Sequence, residues 1–556
     1  MPLPTFDIEA VNWTIPIAVG FFDGFNYIEF VKEDDKDEPL RKFLEFLRVN
    51  HRGIKIYAHF ASRYDNKLVL AQLSKMNEKI GLEAGLIRLK WIEPGITFED
   101  SFPLIPMSLK KATKLFGAPE KGEWDHDAGL KPWEMGDQLK TFKLYLKNDC
   151  IALSNCLDTL CECLGNTFGV MPSISLATTS AKAFNKGFFN LDDIESNEEF
   201  EPFIRQAIYG GRNEVYKRYG ENIKEYDVKS MFVSCYDSPV PTGKMKWMKP
   251  DLTTGCIAEA TVKVPKDSYI GPLPYRTPDG RLIFPVGEFK GWWDVRELKN
   301  AVDNFGADVT IRRQLDSMEK VVLKEFGEYI GELRGGKYDE FWKMFGLSLS
   351  GKLGQNRWRE TVRHWELIED FQGWWPLDKE ETYFISKEYA KRAPYIKAAV
   401  SMRVRAEARI RHLNHILQAA TQGEIFYGDT DSIFTTATLP TGDNIGDLSM
   451  FGLAERGYFI KQKLYALIED GKMRQRSAGF SDLKLVEADF KKLLEGGDID
   501  IKKDNISTYK LIMHEKEARL FETWRKVKGR ASSSRISEDL DSRPICLPDD
   551  LKLLYT

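Results

Sequence analysis

The segment EIFYGDTDSIFTT constrains the chain most, because it reads as two apolar strands joined by a turn containing Gly428, Asp429, Thr430 and Asp431. Period-two alternation then sets Asp429 and Asp431 at a hairpin tip, on the same face. A DxD turn alone fits three uses. It can be a surface turn, a metal–nucleotide-diphosphate site as in many glycosyltransferases, or part of a nucleic-acid enzyme.

Asp227, in YDVKSMFVSCY, narrows the choice. It ends a strand about two hundred residues earlier and is followed by Ser230, Met231 and Phe232. Three aspartates on adjacent strands can hold two Mg²⁺ ions roughly 3.5–4 Å apart, the arrangement that stabilises the attacking and leaving oxygens of phosphoryl transfer. Phe232 is placed to pack beneath the sugar of an incoming nucleotide and exclude a 2′-hydroxyl; without its neighbours it would be a core residue on a strand. In KMFGLSLSGKLGQ, Lys343 opens a helix face that also carries Leu347, Ser348 and Gly351. A lysine there can pair with a triphosphate, although a lone helical lysine is usually solvated.

A second carboxylate set lies upstream. Asp7 and Glu9 in FDIEA share one face of a strand, a costly arrangement unless a cation sits between them. Asp65, in AHFASRYDNKLVL, is expected at the end of an apolar strand, and Asp100-Ser101 follows another. Tyr145 and Asp149 share a helix face at i, i+4. Each piece alone is bland. In order they give four carboxylates able to hold two hard divalent ions, with a tyrosine orienting an attacking water.

Composition neither supports nor excludes a nucleic-acid enzyme. The net charge is −4, from 80 basic and 84 acidic residues, where phosphate binders are usually basic. Acidic sites beside basic grooves average to the same figure. The seven cysteines form no CxxC pair, and Cys161 and Cys163 are too close for usual zinc spacing. They read as thiols of a reducing compartment. MPLPTFDIEAVNW lacks the form of a signal peptide, and no apolar run approaches a membrane span, so a soluble intracellular protein is expected.

The chain shows no internal repeat. Up to about residue 190 short apolar runs alternate with helical segments, as in a mixed α/β domain. SLATTSAKAFNKGFF and DDIESNEEFEPF read as a connection, and hairpins with longer helices follow Tyr209. Helices broken at Gly335 and Gly336 are expected across 317–350, and a separate C-terminal unit from about 465. RVRAEARIRHLNH reads as a helix with a basic face, solvated or lying along DNA.

Taken in order, these segments resemble family B DNA polymerases. Asp7/Glu9, Asp65 and Tyr145/Asp149 match the Exo I, Exo II and Exo III motifs of their proofreading domain. Asp227 with Ser230, Lys343 with Ser348, and YGDTDS match motifs A, B and C. IYGGRNEVY, with Tyr209, Gly210 and Gly211, resembles the YxGG motif, and KQKLYAL, with Lys463 and Tyr465, the KxY motif that grips the primer. Departures are specific. Phe60 follows His59 where the family has an asparagine that holds the single strand. Met231, Phe232 and Val233 replace Leu, Tyr and Pro in motif A, and Leu347 and Ser350 replace Asn and Tyr in motif B.

The resemblance implies an α/β and α+β multidomain fold, with an RNase H-like (DnaQ-like) exonuclease domain and a right-handed palm, fingers and thumb. It places the exonuclease at 1–190, a YxGG linker with the first part of the palm at 191–249, and terminal protein region 1 at 250–318. Fingers follow at 319–356, terminal protein region 2 at 357–390, palm with motif C at 391–465, and thumb with the C-terminal segment at 466–556. It implies catalysis by Asp227, Asp429, Asp431, Asp7, Glu9, Asp65, Tyr145 and Asp149, with the carboxylates as metal ligands. Nucleotide would be met by Phe232, Lys343 and Ser348, and DNA by Tyr209, Gly210, Gly211, Lys463, Tyr465 and His59. Mg²⁺ would serve both sites, with Mn²⁺ able to substitute. Partners would be primer-template DNA, dNTPs and, in the compact protein-primed subgroup of phages, viruses and linear plasmids, a terminal protein. No membrane is expected, and a monomer is, in the host cytoplasm if phage- or plasmid-encoded.

Two rivals remain: an exonuclease with a non-catalytic DNA-binding C-terminal half, and a DxD glycosyltransferase, which leaves the first carboxylate set unexplained. Asp125, His126 and Asp127 read as a hydrated loop rather than a metal site.

Overall fold

The structure, a computed structural model, describes residues 2–120, 124, 131–390, 393–477, 485–529 and 534–550. The Asp125–Asp127 loop lies outside them.

Strands Thr5–Val11 and Ile15–Phe22 pair antiparallel, with Asp7 opposite Gly20 and Glu9 opposite Ala18. Lys55–Ala58 runs parallel to Thr5–Val11 on one side and Ile96–Asp100 on the other. Helix Pro39–Asn50 covers this sheet through Phe43, Leu44 and Leu47. The long helix Gln138–Phe168 buries Tyr145 and Asp149 on one stripe and stops at Gly169, whose left-handed φ of 64° ends the helix without a Cβ penalty.

The sheet of the first domain does not stop at the expected boundary. Trp358–His364 pairs with Ile80–Glu83, Val362 opposite Leu82, and carries Tyr383–Tyr389 and Trp374–Pro376 outward into one ten-stranded sheet. The segment expected as terminal protein region 2 is therefore built onto the first domain. SLATTSAKAFNKGFF, expected as connection, contains helix Leu176–Gly187, N-capped by the Ser175 hydroxyl, which packs against Asp339–Leu353. Helices Lys324–Arg334 and Asp339–Leu353 are broken at Gly335 and Gly336, as expected. Leu157, Leu160 and Leu164 of the long helix share one core with Phe341, Phe345 and Leu349 and with Tyr226 and Val228.

A seven-stranded antiparallel sheet forms the palm. It includes Leu464–Glu469 and Lys472–Ser477, so the C-terminal unit begins later than residue 466. Behind it lies helix Ala398–Ala420. The basic face expected there is partly buried. Arg403 pairs with Asp294 at 2.8 Å, and Arg409 grips Glu297 with bonds of 2.8 and 2.9 Å, so these two arginines are buried and paired inside the protein.

Beyond the palm, strands Asp498–Ile506 and Leu520–Lys528 form a ribbon tipped by helix Tyr509–Glu515. Ile512 and Met513 of that helix are buried in the first domain's core, and Lys67 Nζ donates to the Ile506 carbonyl at 3.1 Å. Tyr509 and Lys510 both bond Glu360 of the inserted strands. The chain then returns to a separate five-stranded sheet, where Cys546–Leu547 pairs with Val286–Asp294. All seven cysteines are free thiols. No described helix is long and apolar enough to cross a membrane.

Candidate active sites

The palm site is built by strand pairing. Ile425–Asp429 and Ser432–Thr435 form the expected hairpin, closed by Thr430 and Asp431 alone. Ser432 pairs with Asp227 of strand Tyr219–Val228, and Val228 N donates to the Asp431 carbonyl at 2.9 Å. Asp227 and Asp431 thus stand side by side. Burial, then the charges of Asp227 and Asp429, pushes Asp431 up to about 7. Asp227 is raised by burial, partly offset by Lys343. Two carboxylates that hold protons this tightly form a pair that a cation would relieve.

Asp429 has partners within the protein. Its carboxylate accepts from Asn213 Nδ2 at 2.9 Å, from the Tyr427 hydroxyl at 3.3 Å and from Lys463 Nζ at 3.1 Å. Those bonds hold the turn. Among the described residues, no group of three or more His, Cys, Asp or Glu side chains is arranged to hold a metal ion. The expected sets of three and four carboxylate ligands are therefore not preformed, and the palm offers a pair. A pair fits Mg²⁺, which is commonly bound by one or two carboxylates with substrate phosphates completing its shell.

Two cations face the pair. Lys343, on Asp339–Leu353, lowers both Asp227 and Asp431. Arg334, at the end of Lys324–Arg334, donates to Ser230 Oγ at 2.5 Å and also lowers Asp227. Arg334 and Asn213 escaped the sequence reading, since neither stands in an expected motif position. Ser348 bonds back to the Phe345 carbonyl at 2.8 Å. Phe232 lies on the short helix Met231–Ser234, not on a strand, partly buried against the core.

Several residues expected to meet DNA also make contacts inside the protein. Tyr209 is 5% exposed, and its carbonyl and that of Gly210 accept from Arg409. A Cβ on Gly211 would lie 2.6 Å from Thr430 Cγ2, so this glycine makes room for the Asp429–Asp431 turn. Tyr465 is 9% exposed, with its ring centroid 5.3 Å from that of Tyr427. A Cβ on Gly210 would meet only Leu282, at 3.6 Å, and Lys463 is half exposed.

In the first domain Asp65 is not at a strand end. Strand Lys55–Ala58 stops seven residues earlier, and Asp65 begins helix Asp65–Lys75. From there its carboxylate accepts from Ile8 N at 3.1 Å, between Asp7 and Glu9. Burial, then Glu9 and Asp100, raises it to about 7. Tyr145 bonds Asp149, and burial with Glu9, Asp7 and Asp149 keeps its phenol protonated far above the usual range. His59 is a brace. Its Nδ1 bonds Ser101 Oγ at 2.9 Å and its Nε2 the Met107 carbonyl at 2.8 Å, so both ring nitrogens are engaged within the protein.

Two separated carboxylate sites on one chain, one beneath a ribbon-bearing palm and one in a mixed sheet, agree with comparison to known proteins. Phi29 DNA polymerase, solved with primer-template DNA and incoming nucleotide substrates, superposes with a TM-score of 0.70 over 95% of this chain and 100% of its own, at 16% identity. The fold is thus an exonuclease domain followed by palm, fingers and thumb. Probable DNA polymerases are similar in sequence. That of Ascobolus immersus is 26% identical over 363 residues, 54% of this chain and 30% of its own. That of Neurospora intermedia is 26% identical over 513 residues, 75% of this chain and 52% of its own. The chain spans about a third to a half of the length of these relatives. The family model for DNA polymerase type B, organellar and viral, matches residues 47–332, just over half of the 556 residues, and the chain belongs to that family.

Proposed function

We propose that the chain is a DNA-directed DNA polymerase that extends DNA 3′ ends with dNTPs and excises mispaired ends at its second site. The observation carrying this reading is the Asp227–Asp431 pair faced by Lys343 and Arg334. Carboxylates hold what an incoming nucleotide brings with it, and the two cations meet triphosphate charge from the fingers side. Mg²⁺, with Mn²⁺ able to substitute, would be held by Asp227 and Asp431 here and by Asp7, Glu9, Asp65 and Asp149 in the first domain. When bound it supplies activation of a hydroxyl or water and neutralisation of phosphate charge. Phe232 stands one residue past Met231 on the short helix beside Asp227, the side from which a 2′-hydroxyl would be excluded.

The exonuclease reading draws on Asp65 pinned between Asp7 and Glu9 and on the protonated Tyr145 beside Asp149. Neutral phenol can donate to a water or to a phosphate oxygen while the carboxylates carry charge. Solved structures of this fold hold primer-template DNA with nucleotides, and single-stranded DNA, which supports those two kinds of nucleic acid as partners. The reading extends to protein-primed replication of a viral or linear-plasmid genome by a monomer in the host cytoplasm. Residues 250–318 and 357–390 are then the surfaces that meet a priming protein.

Primer extension with Mg²⁺, with and without dNTPs, tests both halves. Wild type should extend and degrade, Asp431→Ala should only degrade, and Asp7→Ala should extend without degrading. A wild type that degrades single strands but never incorporates would restore the pure exonuclease.

A further inference from the structure

The asparagine expected after His59 is replaced by Phe60, and the replacement is not passive. Phe60 sits at φ 64°, a backbone region that bulky residues rarely enter and that persists only when the surroundings enforce it. There its ring stacks on Phe102, with centroids 3.9 Å apart and planes at 30°. Both rings remain partly exposed rather than entering the core. The pair adjoins the carboxylates directly. Phe102 N donates to Asp100 Oδ1 at 2.9 Å, Ser62 N donates to Asp100 Oδ2 at 3.1 Å, and Asp100 is one of the charges acting on Asp65.

The outer face of Phe60 carries a second feature. The Arg63 guanidinium stands 6.0 Å from the ring centroid, too far for contact and about one ångström short of the roughly 7 Å that a flat base sandwiched between two planes requires. Arg63 is exposed and free to swing by that amount. Trp13, beside Tyr64 that precedes Asp65, repeats the pattern. It is 59% exposed, lies at φ 63°, and meets the adjacent Tyr64 edge-on at 5.9 Å. Two aromatic pairs, each containing a residue at left-handed backbone, therefore lie near Asp65, whose carboxylate accepts from Ile8 N between Asp7 and Glu9.

We infer that Phe60 with Arg63 forms a slot for the base at a single-stranded 3′ end, with Trp13 as a second stacking platform, so this chain captures strand ends by base stacking where an asparagine would use hydrogen bonds. The inference rests on the exonuclease reading of the Asp7 site. Stacking is blind to base identity but needs a base, so an end lacking bases should be captured poorly.

The test is steady-state excision from single-stranded oligonucleotides with Mg²⁺, comparing an ordinary 3′ end with one whose last three nucleotides are abasic. Wild type should show a KM about tenfold or more higher on the abasic end. Phe60→Gly, which suits the left-handed backbone and so preserves the turn, should raise KM on the ordinary end by a similar factor while kcat changes little. Phe60→Trp should restore capture, and Trp13→Leu should show a smaller loss of the same kind. Equal KM for both ends in wild type, or Phe60→Gly with wild-type KM, overturns the inference while leaving the exonuclease reading intact. A wild type that excises neither end overturns both.

Discussion

Thr430 occupies the space where Gly211 would carry a side chain, its Cγ2 2.6 Å from the position of a Cβ. Thr430 N also donates to the Arg212 carbonyl at 2.6 Å, so the hairpin that presents Asp431 is seated on the YGGR segment by both packing and a hydrogen bond. Gly211→Ala should push Thr430 away at a cost of about 1–3 kcal/mol of overpacking and displace Asp431 from Asp227. Nucleotide incorporation should fall roughly tenfold to hundredfold. Single-strand excision by the same preparation should stay near wild type, and a parallel loss of both would point to misfolding instead.

Asp431 gives the metal-free protein a characteristic response to pH. Its folded value is about 7 against an ordinary value of 3.8. Below about pH 4 both states hold the proton; as pH rises to about 7 only the folded state still holds it, so stability is lost across that window, on the order of 1–4 kcal/mol in all. Asp431→Asn should therefore be more stable than wild type at pH 8 and nearly equal to it at pH 4. Urea unfolding in the presence of a chelator measures the difference. Adding Mg²⁺ at pH 8 should stabilise wild type more than the variant.

Tyr145 should act as a neutral donor throughout the working range, because burial and the charges of Glu9 and Asp7 keep it protonated. Tyr145→Phe removes only the hydroxyl. Excision should drop about tenfold to hundredfold with incorporation unchanged, and wild-type excision should show no alkaline limb attributable to this residue below pH 10.

Arg334, which donates to Ser230 Oγ at 2.5 Å, should exchange that bond for one to the triphosphate of an incoming nucleotide. Arg334→Ala should raise the KM for dNTP roughly tenfold to hundredfold, the usual worth of a charged hydrogen bond, with Arg334→Lys between the two. A dNTP titration on a primed template reads it directly.

What could be read from the sequence follows from how local each signal is. The hairpin at Asp429–Asp431 and the helix carrying Tyr145 and Asp149 are written in periods of two and of about four, and both form as expected. Asp65 was misplaced because the six residues of turn between Ala58 and Asp65 look like a strand's continuation, while the helix start that fixes the side chain has no conventional cap. Asn213 and Arg334 were invisible for a different reason. Each acquires its role only through partners more than a hundred residues away, Asp429 for one and Ser230 for the other. Burial was the third blind spot. Tyr209, Tyr465 and Arg409 look like surface groups in a motif or a basic stripe, yet all three are spent on internal packing and pairing. Finally, the strands of 358–389 could have paired with either half of the molecule, and only the register with Leu82 assigns them to the first.

The docking of helix Tyr509–Glu515 on the first domain has a topological meaning. Palm, ribbon, first domain and palm again form a circuit of protein closed by the buried side chains of Ile512 and Met513 and by the bonds of Glu360 to Tyr509 and Lys510. That circuit can open only by breaking an apolar seam, which would expose Ile512 and Met513 to water.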